Sequence, residues 1–423
     1  MVDAPDAEVR EVYGTLTGAE EGADAREARN GLRHMVSLSV QKVADGLIEP
    51  KLVLAWLMNA VGAPAFLVSA LVPIREAGAL LPQVFLAGVV EARRIRKWVW
   101  VAGCAMQGVG AAGIAASALL FEGWAAGIAI CLCLAVLALA RAACSVSYKD
   151  ILGKSVGKTR RGAVKGVAGS ASSAAVVVFA LLLVSGLLQD TGPLIAAVAL
   201  AAGLWLLAAL VFATLEERAS EPQARQALDL TPLRNDPQFR RFIAARGALT
   251  ATALAPPYLV LLTGGDGALQ RLGALLLASA AAAFVSSYVW GRLSDRSSRQ
   301  VLIVAGLAGA LSMAAAALAG AFGWTEGLVA APLILFVMQI AYQGVREARG
   351  TYLVDMAPKE ARSTYAAIAN TSIGLLLLAA GALGGALTVG GAIWALSGFA
   401  LLSAIGAWIA LGLHEVEKSE DPD

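Results

Sequence analysis

Gln41, Asp45 and Glu49 recur every fourth residue inside a mostly apolar stretch. On a helix that spacing puts all three on one face. Further on, Arg75 and Glu76 follow Pro73 in "LVPIREAG". At the centre of a membrane helix an Asp, Arg or Lys costs about 2.5–3.5 kcal/mol or more, so such charge marks a working site or a compensated pair. Two chemistries fit these residues. One is a proton- or solute-binding cluster whose carboxylate titrates as its arginine partner comes and goes. The other is a buried structural ion pair, which satisfies the charges equally well. A second polar stripe joins Gln339, Tyr342, Gln343, Arg346 and Arg349 at helical spacing. Arg141, Cys144, Ser145 and Tyr148 form a weaker one. These stripes line a water-filled path or make hydrogen bonds between helices. Arg141 and Arg346 favour an anionic or carboxylate-bearing solute, unless they serve only as gate residues.

Other chemistries lack their residues. The only histidines, His34 and His414, flank the apolar region at its two ends. Cys104, Cys131, Cys133 and Cys144 match no zinc spacing and no disulfide framework, and read as packing residues. "GKSVGKTRRG" (Gly153–Gly162) lacks the first glycine of a nucleotide-binding P-loop. The expectation is no enzyme, no metal and no cofactor. A net charge of +2 gives no reason to expect nucleic acid.

Hydrophobic residues make up 58% of the 423 and charged residues 15%. Soluble proteins carry about 25% charged residues. With a mean hydropathy of +0.70, the chain reads as an all-α membrane protein. A bilayer span needs about 20 mostly apolar residues. Twelve such stretches are placed at 36–58, 64–90, 98–120, 123–146, 165–188, 193–214, 239–262, 267–291, 300–322, 327–350, 363–387 and 391–413. The first is the most interrupted, by Gln41, Lys42, Asp45, Glu49 and Lys51. The resulting organisation is a tail (1–35), six spans (36–214), a linker (215–238), six spans (239–413) and a tail (414–423). The opening residues hold no signal-peptide core and read as a cytosolic tail with a short helix over 24–35. Arg and Lys crowd the connections after the even-numbered spans, while the opposite connections hold Glu122, Asp190, Asp266 and Glu326. By the positive-inside rule both tails and the linker are cytoplasmic. Asp45 then lies roughly 13 Å from the cytoplasmic end of its helix. Antiparallel packing of the first two spans brings it within reach of Arg75. Pro73 is expected to loosen the second helix beside the pair.

The chain repeats itself. "GVVEARRIRKWVWVAG" (Gly88–Gly103) and "GRLSDRSSRQVLIVAG" (Gly291–Gly306) superpose at a shift of 203, matching Gly88 with Gly291, Arg93 with Arg296 and Arg96 with Arg299. "GKTRRGAVKG" and "PKEARSTYAA" superpose at 201, matching Lys158 with Lys359 and Arg161 with Arg362. Parallel six-helix repeats around a central site are one transporter architecture. At a shift of 203, Ala248, Ala278 and Ser279 stand where Asp45, Arg75 and Glu76 stand, so charge is expected to concentrate in the first half.

"GRLSDRSSRQ" resembles the signature loop of the major facilitator superfamily, Gly-x-x-x-Asp-Arg-x-Gly-Arg-Lys. Gly291, Asp295, Arg296 and Arg299 match; Ser298 and Gln300 depart, and the first copy has Ala92 in place of the aspartate. The resemblance covers about residues 36–413. It implies two six-helix bundles and a rocker-switch carrier of a small solute, working as a monomer in the bilayer of a bacterial inner membrane, with the proton as a candidate coupling ion. It implies that helices 1, 4, 7 and 10 line the cavity. That assigns Asp45, Glu49, Arg141, Gln339, Gln343 and Arg346 to the solute or proton pathway, and Arg75 and Glu76 of helix 2 join them as neighbours of Asp45. It assigns Gly291, Asp295, Arg296, Arg299, Gly88, Arg93 and Arg96 to a conformational gate, with Asp295 latching against the start of helix 5 near Lys165. Helix 5 lacks the proline-glycine motif of drug–proton antiporters. The alternative is a non-transporting protein of the same fold, acting as an assembly factor or scaffold, because fold does not fix function.

Overall fold

A computed structural model describes residues 4–18, 23–187, 190–221, 230–264, 267–358 and 361–416. The elements, in chain order, are α1 (Ala4–Thr17), α2 (Ala25–Leu47), a π-helical turn (Pro50–Leu54), α3 (Ala55–Ala60), α4 (Ala65–Leu80) and α5 (Gln83–Glu91). Then come α6 (Lys97–Leu120), α7 (Gly123–Ser155), α8 (Arg161–Val184), α9 (Gly192–Ala213), α10 (Thr231–Asn235) and α11 (Pro237–Ala248). The remainder is α12 (Ala251–Leu254), α13 (Pro256–Leu261), α14 (Ala268–Ala321), α15 (Ala330–Met356), α16 (Arg362–Leu387) and α17 (Ala392–Leu411). Among the described residues, eight helices are long and apolar enough to cross a bilayer. α4 and α5 make a ninth if the pair, bent by 41°, is one span.

The first expected span differs most from expectation. Its helix begins at Ala25, capped by Asp24, whose side chain accepts the Glu27 N–H. It runs without interruption to Leu47, so the expected short helix over 24–35 is simply its first turns. The chain then breaks at Ile48–Glu49. Pro50 has no N–H to offer the Gly46 carbonyl, and its ring would crowd that carbonyl. Glu49 bridges the break, its Oε2 accepting the Leu52 N–H at 2.9 Å. The seventh expected span breaks likewise, between α11 and α12 and again before Pro256 and Pro257. There Thr250 and Thr252 turn their hydroxyls onto the carbonyls of Gly247 and Leu249. At the 201-residue shift, the break at 48–49 falls on 249–250.

Other boundaries also move. Pro73 does not break the second span. It sits inside α4 with its ring seated against Gly381 of α16, where an added Cβ would come within 2.1 Å of it. The interruption comes instead at Leu81–Pro82. The expected eighth and ninth spans join through the "GRLSDRSSRQ" turn, where Ser297 alone leaves helical geometry (φ −167°, ψ 97°). α7 runs on to Ser155 rather than ending near 146.

The N-terminal segment is more than a tail. α1 packs on α2, and Tyr13 is fully buried over Gly31, among Leu152, Val156, Val164 and Ala168. Burial, and then the charge of Glu27, push its hydroxyl up to about 12, so it acts as a neutral packing group.

Helices before the 215–238 segment meet those after it along α4 and at the end of α8 away from α1. There α4 packs on α16 and α8 on α14. An added Cβ on Gly273 of α14 would lie 2.7 Å from the Val184 N and 2.8 Å from the Ala180 O of α8. At the α1 end, ion pairs hold neighbouring helices together. Glu216, just after α9, pairs with Arg26, Arg29 and Arg33 of α2, and Glu217 with Lys154 of α7.

Candidate functional site

The break in the first span sets down a charged cluster in the middle of the fold. Asp45, on the last turn of α2, receives two guanidinium groups. Arg75 of α4 donates from Nη2 to Oδ1 at 2.6 Å. Arg141 of α7 donates from Nη1 to Oδ1 at 2.6 Å and to Oδ2 at 2.7 Å. The extension of α7 to Ser155 is what puts Arg141 at this depth rather than near the helix end. Together with Glu49, Lys51 and Glu76, these residues line a cavity of about 200 Å³, closed on its apolar side by Val72 and Ala79. Three carboxylates face three cations there, so the cluster is neutral as a set. Arg75 is buried, and its Nη1 has no hydrogen-bond partner.

The facing wall comes from α15. Lys51 is buried, and its Nζ lies 3.5 Å from the centroid of the Tyr342 ring. Arg346 and Arg349 follow Tyr342 by four and seven residues, on the same face of α15. The polar stripe on α15 therefore divides. Tyr342, Arg346 and Arg349 face the cluster, with Arg346 exposed and Gln343 half-buried beside them. Gln339 instead donates to Ser279 Oγ of α14 at 3.1 Å, a bond between helices.

The repeated turns are anchored differently. In the first, Arg96 is buried and pairs with Asp150 of α7 at 2.9 Å, while Glu217 accepts the backbone N–H groups of Arg96 and Lys97 that open α6. Lys154 also bonds Asp150. Gly88 lies within α5, and Arg93 is exposed. In the second turn, Arg299 pairs with Glu415 at 3.1 Å, and Ser297 Oγ donates to the same carboxylate at 2.6 Å. Arg296 is exposed. Gly291 and Asp295 lie on α14; the Asp295 side chain and Lys359 fall outside the described residues. Near the start of α8, the Lys165 carbonyl accepts from Lys42 Nζ at 3.4 Å.

The sequence profile of the Major Facilitator Superfamily matches residues 43–346, from the charged end of α2 to the arginine stripe of α15. The chain belongs to that superfamily. It is an integral, multi-pass membrane protein of a transport family. No curated protein matches it by sequence. Among solved structures it is similar in fold to superfamily transporters. A D-xylose-proton symporter superposes with a TM-score of 0.70 at 11% identity, covering 93% of this chain and 99% of that one. A POT family transporter in complex with a thioalcohol-conjugated peptide gives 0.68 at 12%, covering 90% and 95%. The nucleoside transporter NupG gives 0.65 at 14%, covering 90% and 98%. At these identities the likeness speaks for the superfamily fold alone.

Several residues of the central cluster, of the ion pairs at the turns and of the buried core were not marked by sequence pattern. Lys51 registered only as an interruption of the first span, yet it is the cation that touches the opposite wall. Asp150, Glu217 and Glu415 sit beyond the expected span ends, where carboxylates are common and carry little signal. Arg246 sits on α11, buried, and bonds only weakly, its Nη2 donating to Asn370 Oδ1 at 3.4 Å.

Proposed function

We propose that this protein is a secondary carrier that moves a small solute across the bacterial inner membrane by rocker-switch alternating access, coupled to protons through Asp45. On this reading twelve segments cross the bilayer. The broken first and seventh segments and α15 join the apolar helices, in two bundles spanning 36–214 and 239–413, with both tails cytoplasmic. Packing between the bundles at the end away from α1 makes the present arrangement an inward-facing one. The Gly291–Arg299 turn, with Asp295, latches the opposite state.

The observation that carries the reading is the single carboxylate of Asp45 shared by arginines from two other helices, beside a break in its own. A proton taken by Asp45 releases both guanidinium groups at once. That couples protonation to the packing of α2, α4 and α7, and so to the shape of the cavity. Reconstituted protein should accumulate its solute when a pH gradient is imposed and lose that accumulation when the gradient is collapsed. A thermal-shift screen across solute classes identifies the solute first, since a ligand that binds only the folded state raises its stability. Purified protein that binds and moves nothing across such a screen would favour the scaffold.

The bundle contact at Gly273 gives a separate prediction. An added methyl group would strike two backbone atoms of α8 and the Leu183 Cβ, none of which can swing aside. Gly273→Ala should therefore open that end and shift the population toward the outward-facing state. Spin labels at Thr159 and Gln300, both exposed at the α1 end, should move closer together. An unchanged distance distribution would show that α8 and α14 tolerate the methyl group and set no balance.

A further inference from the structure

The cluster around Asp45 is neutral as a set, whereas its counterpart after the linker is not. The 201-residue shift that superposes the two helix breaks also places Arg246 on Asp45, Tyr342 on Arg141 and Arg346 on Ser145. Where the first half carries its central carboxylate, the second half carries a guanidinium. Arg246 is only 6% exposed. Its Nε is buried with no hydrogen-bond partner, and its bond to Asn370 is long. Phe242, one turn before it on α11, stacks on Tyr352, one turn after Arg349 on α15, with ring centroids 5.2 Å apart, so Arg246 and Arg349 sit on neighbouring turns of packed helices. Among the described residues no carboxylate forms an ion pair with Arg246, Arg346 or Arg349. Leaving a buried charge uncompensated is strongly unfavourable, and arginine is the residue suited to holding planar or tetrahedral oxyanions by paired donors.

We propose that Arg246, with Arg346 and Arg349 of α15, forms an oxyanion subsite, and that the solute carries a carboxylate or phosphate group which completes the charge balance of the second half. This deepens the carrier reading and rests on it for the word solute; the anion site itself does not. The Lys51–Tyr342 contact joins the wall of the Asp45 cavity to the helix that carries Arg346 and Arg349. A solute bound through its anion to the second half would therefore face the proton-binding cluster of the first, one bundle holding the cargo and the other the coupling group.

The test is the melting temperature of purified protein at fixed pH with succinate, inorganic phosphate, neutral succinamide, or potassium chloride at matched ionic strength. Succinate or phosphate should stabilise the wild type beyond chloride, and succinamide should not. Which of the two acts tells a carboxylate from a phosphate solute. Arg246→Gln should weaken the active anion roughly tenfold or more, the loss expected when a charge-assisted hydrogen bond is removed. Arg246→Lys should retain part of the binding. Without anion, Arg246→Gln should melt no lower than the wild type, because it removes an unpaired charge. If neither anion stabilises the wild type beyond chloride, the proposal falls. It falls equally if Arg246→Gln lowers the melting temperature without anion and leaves anion stabilisation intact, because Arg246 is then a packing partner of Asn370. Vesicle uptake separates the two claims. Anion binding without any uptake keeps the subsite and sinks the carrier; uptake of a neutral solute untouched by Arg246→Gln keeps the carrier and sinks the subsite.

Discussion

Asp45→Asn is expected to abolish pH-driven uptake and to lower the melting temperature in the same preparation. The amide keeps the shape of the carboxylate but not its charge, and it serves two guanidinium groups at 2.6 Å. Arg75 has only 8% of its side chain exposed, so losing its counter-charge is costly. Breaking a fully buried pair costs about 3–5 kcal/mol. Asp45 and Arg141 retain 22% and 40% exposure, which places the loss toward the lower end. Adding Arg75→Gln to Asp45→Asn should restore most of the melting temperature, because the stranded charge goes with it. It should not restore pH-driven uptake, because the carboxylate proposed to take the proton is still missing. Solute exchange, which needs no net proton movement, can survive in the double variant. A well-folded Asp45→Asn protein with unaltered pH-driven uptake removes Asp45 from the mechanism. Recovery of uptake along with stability in the double variant would leave the cluster a structural one.

The Asp45–Arg75 pair was legible in the sequence because it depends on two things that pattern carries: depth along a helix and the antiparallel packing of consecutive spans. Arg141 as second partner was not, because its depth depends on where α7 ends. The residues that extend the helix to Ser155 are polar, so hydropathy stops short of them. The stripe on α15 was legible as one face, but a face of an α-helix is wide. Gln339 falls on its edge and bonds Ser279, which periodicity cannot separate from facing the cavity. The helix breaks were written in Pro50, Pro256 and Pro257, although reading the first and seventh stretches as whole spans passed over them. Arg246 was hidden by register. The signature turns superpose at 203 and pair Asp45 with Ala248; the helix breaks superpose at 201 and pair it with Arg246. Loops take up insertions at little cost, so the register changes by two residues from one pair of connections to the next, and only the pair matching at 201 agrees with the helix breaks. The docking of α1 was invisible for a related reason. A single tyrosine over a single glycine, Tyr13 on Gly31, leaves no periodic trace.

Tyr342→Leu is expected to shift the balance between inward- and outward-facing states by up to roughly thirtyfold while leaving the protein folded. A desolvated cation–π contact is worth about 2 kcal/mol, which corresponds to that ratio. The contact joins the π-helical turn, before the 215–238 segment, to α15, after it, so it contributes to whichever arrangement of the two sides brings Lys51 over the ring. Leucine removes the ring but keeps an apolar surface against the lysine stem. Lys51 keeps Glu49 and Glu76 beside it, so no charge is stranded and no large loss of stability follows. That is the difference from Lys51→Met, which would leave two carboxylates short of a cation and confound folding with gating. The spin-label pair at Thr159 and Gln300 reads the outcome, and a shorter distance component should grow at the expense of the longer one. A distribution identical to the wild type would mean that the contact forms equally in both states and does not set the balance between them. If the component grows and pH-driven uptake slows as well, the carrier reading makes the return of Lys51 to the ring the step that limits turnover.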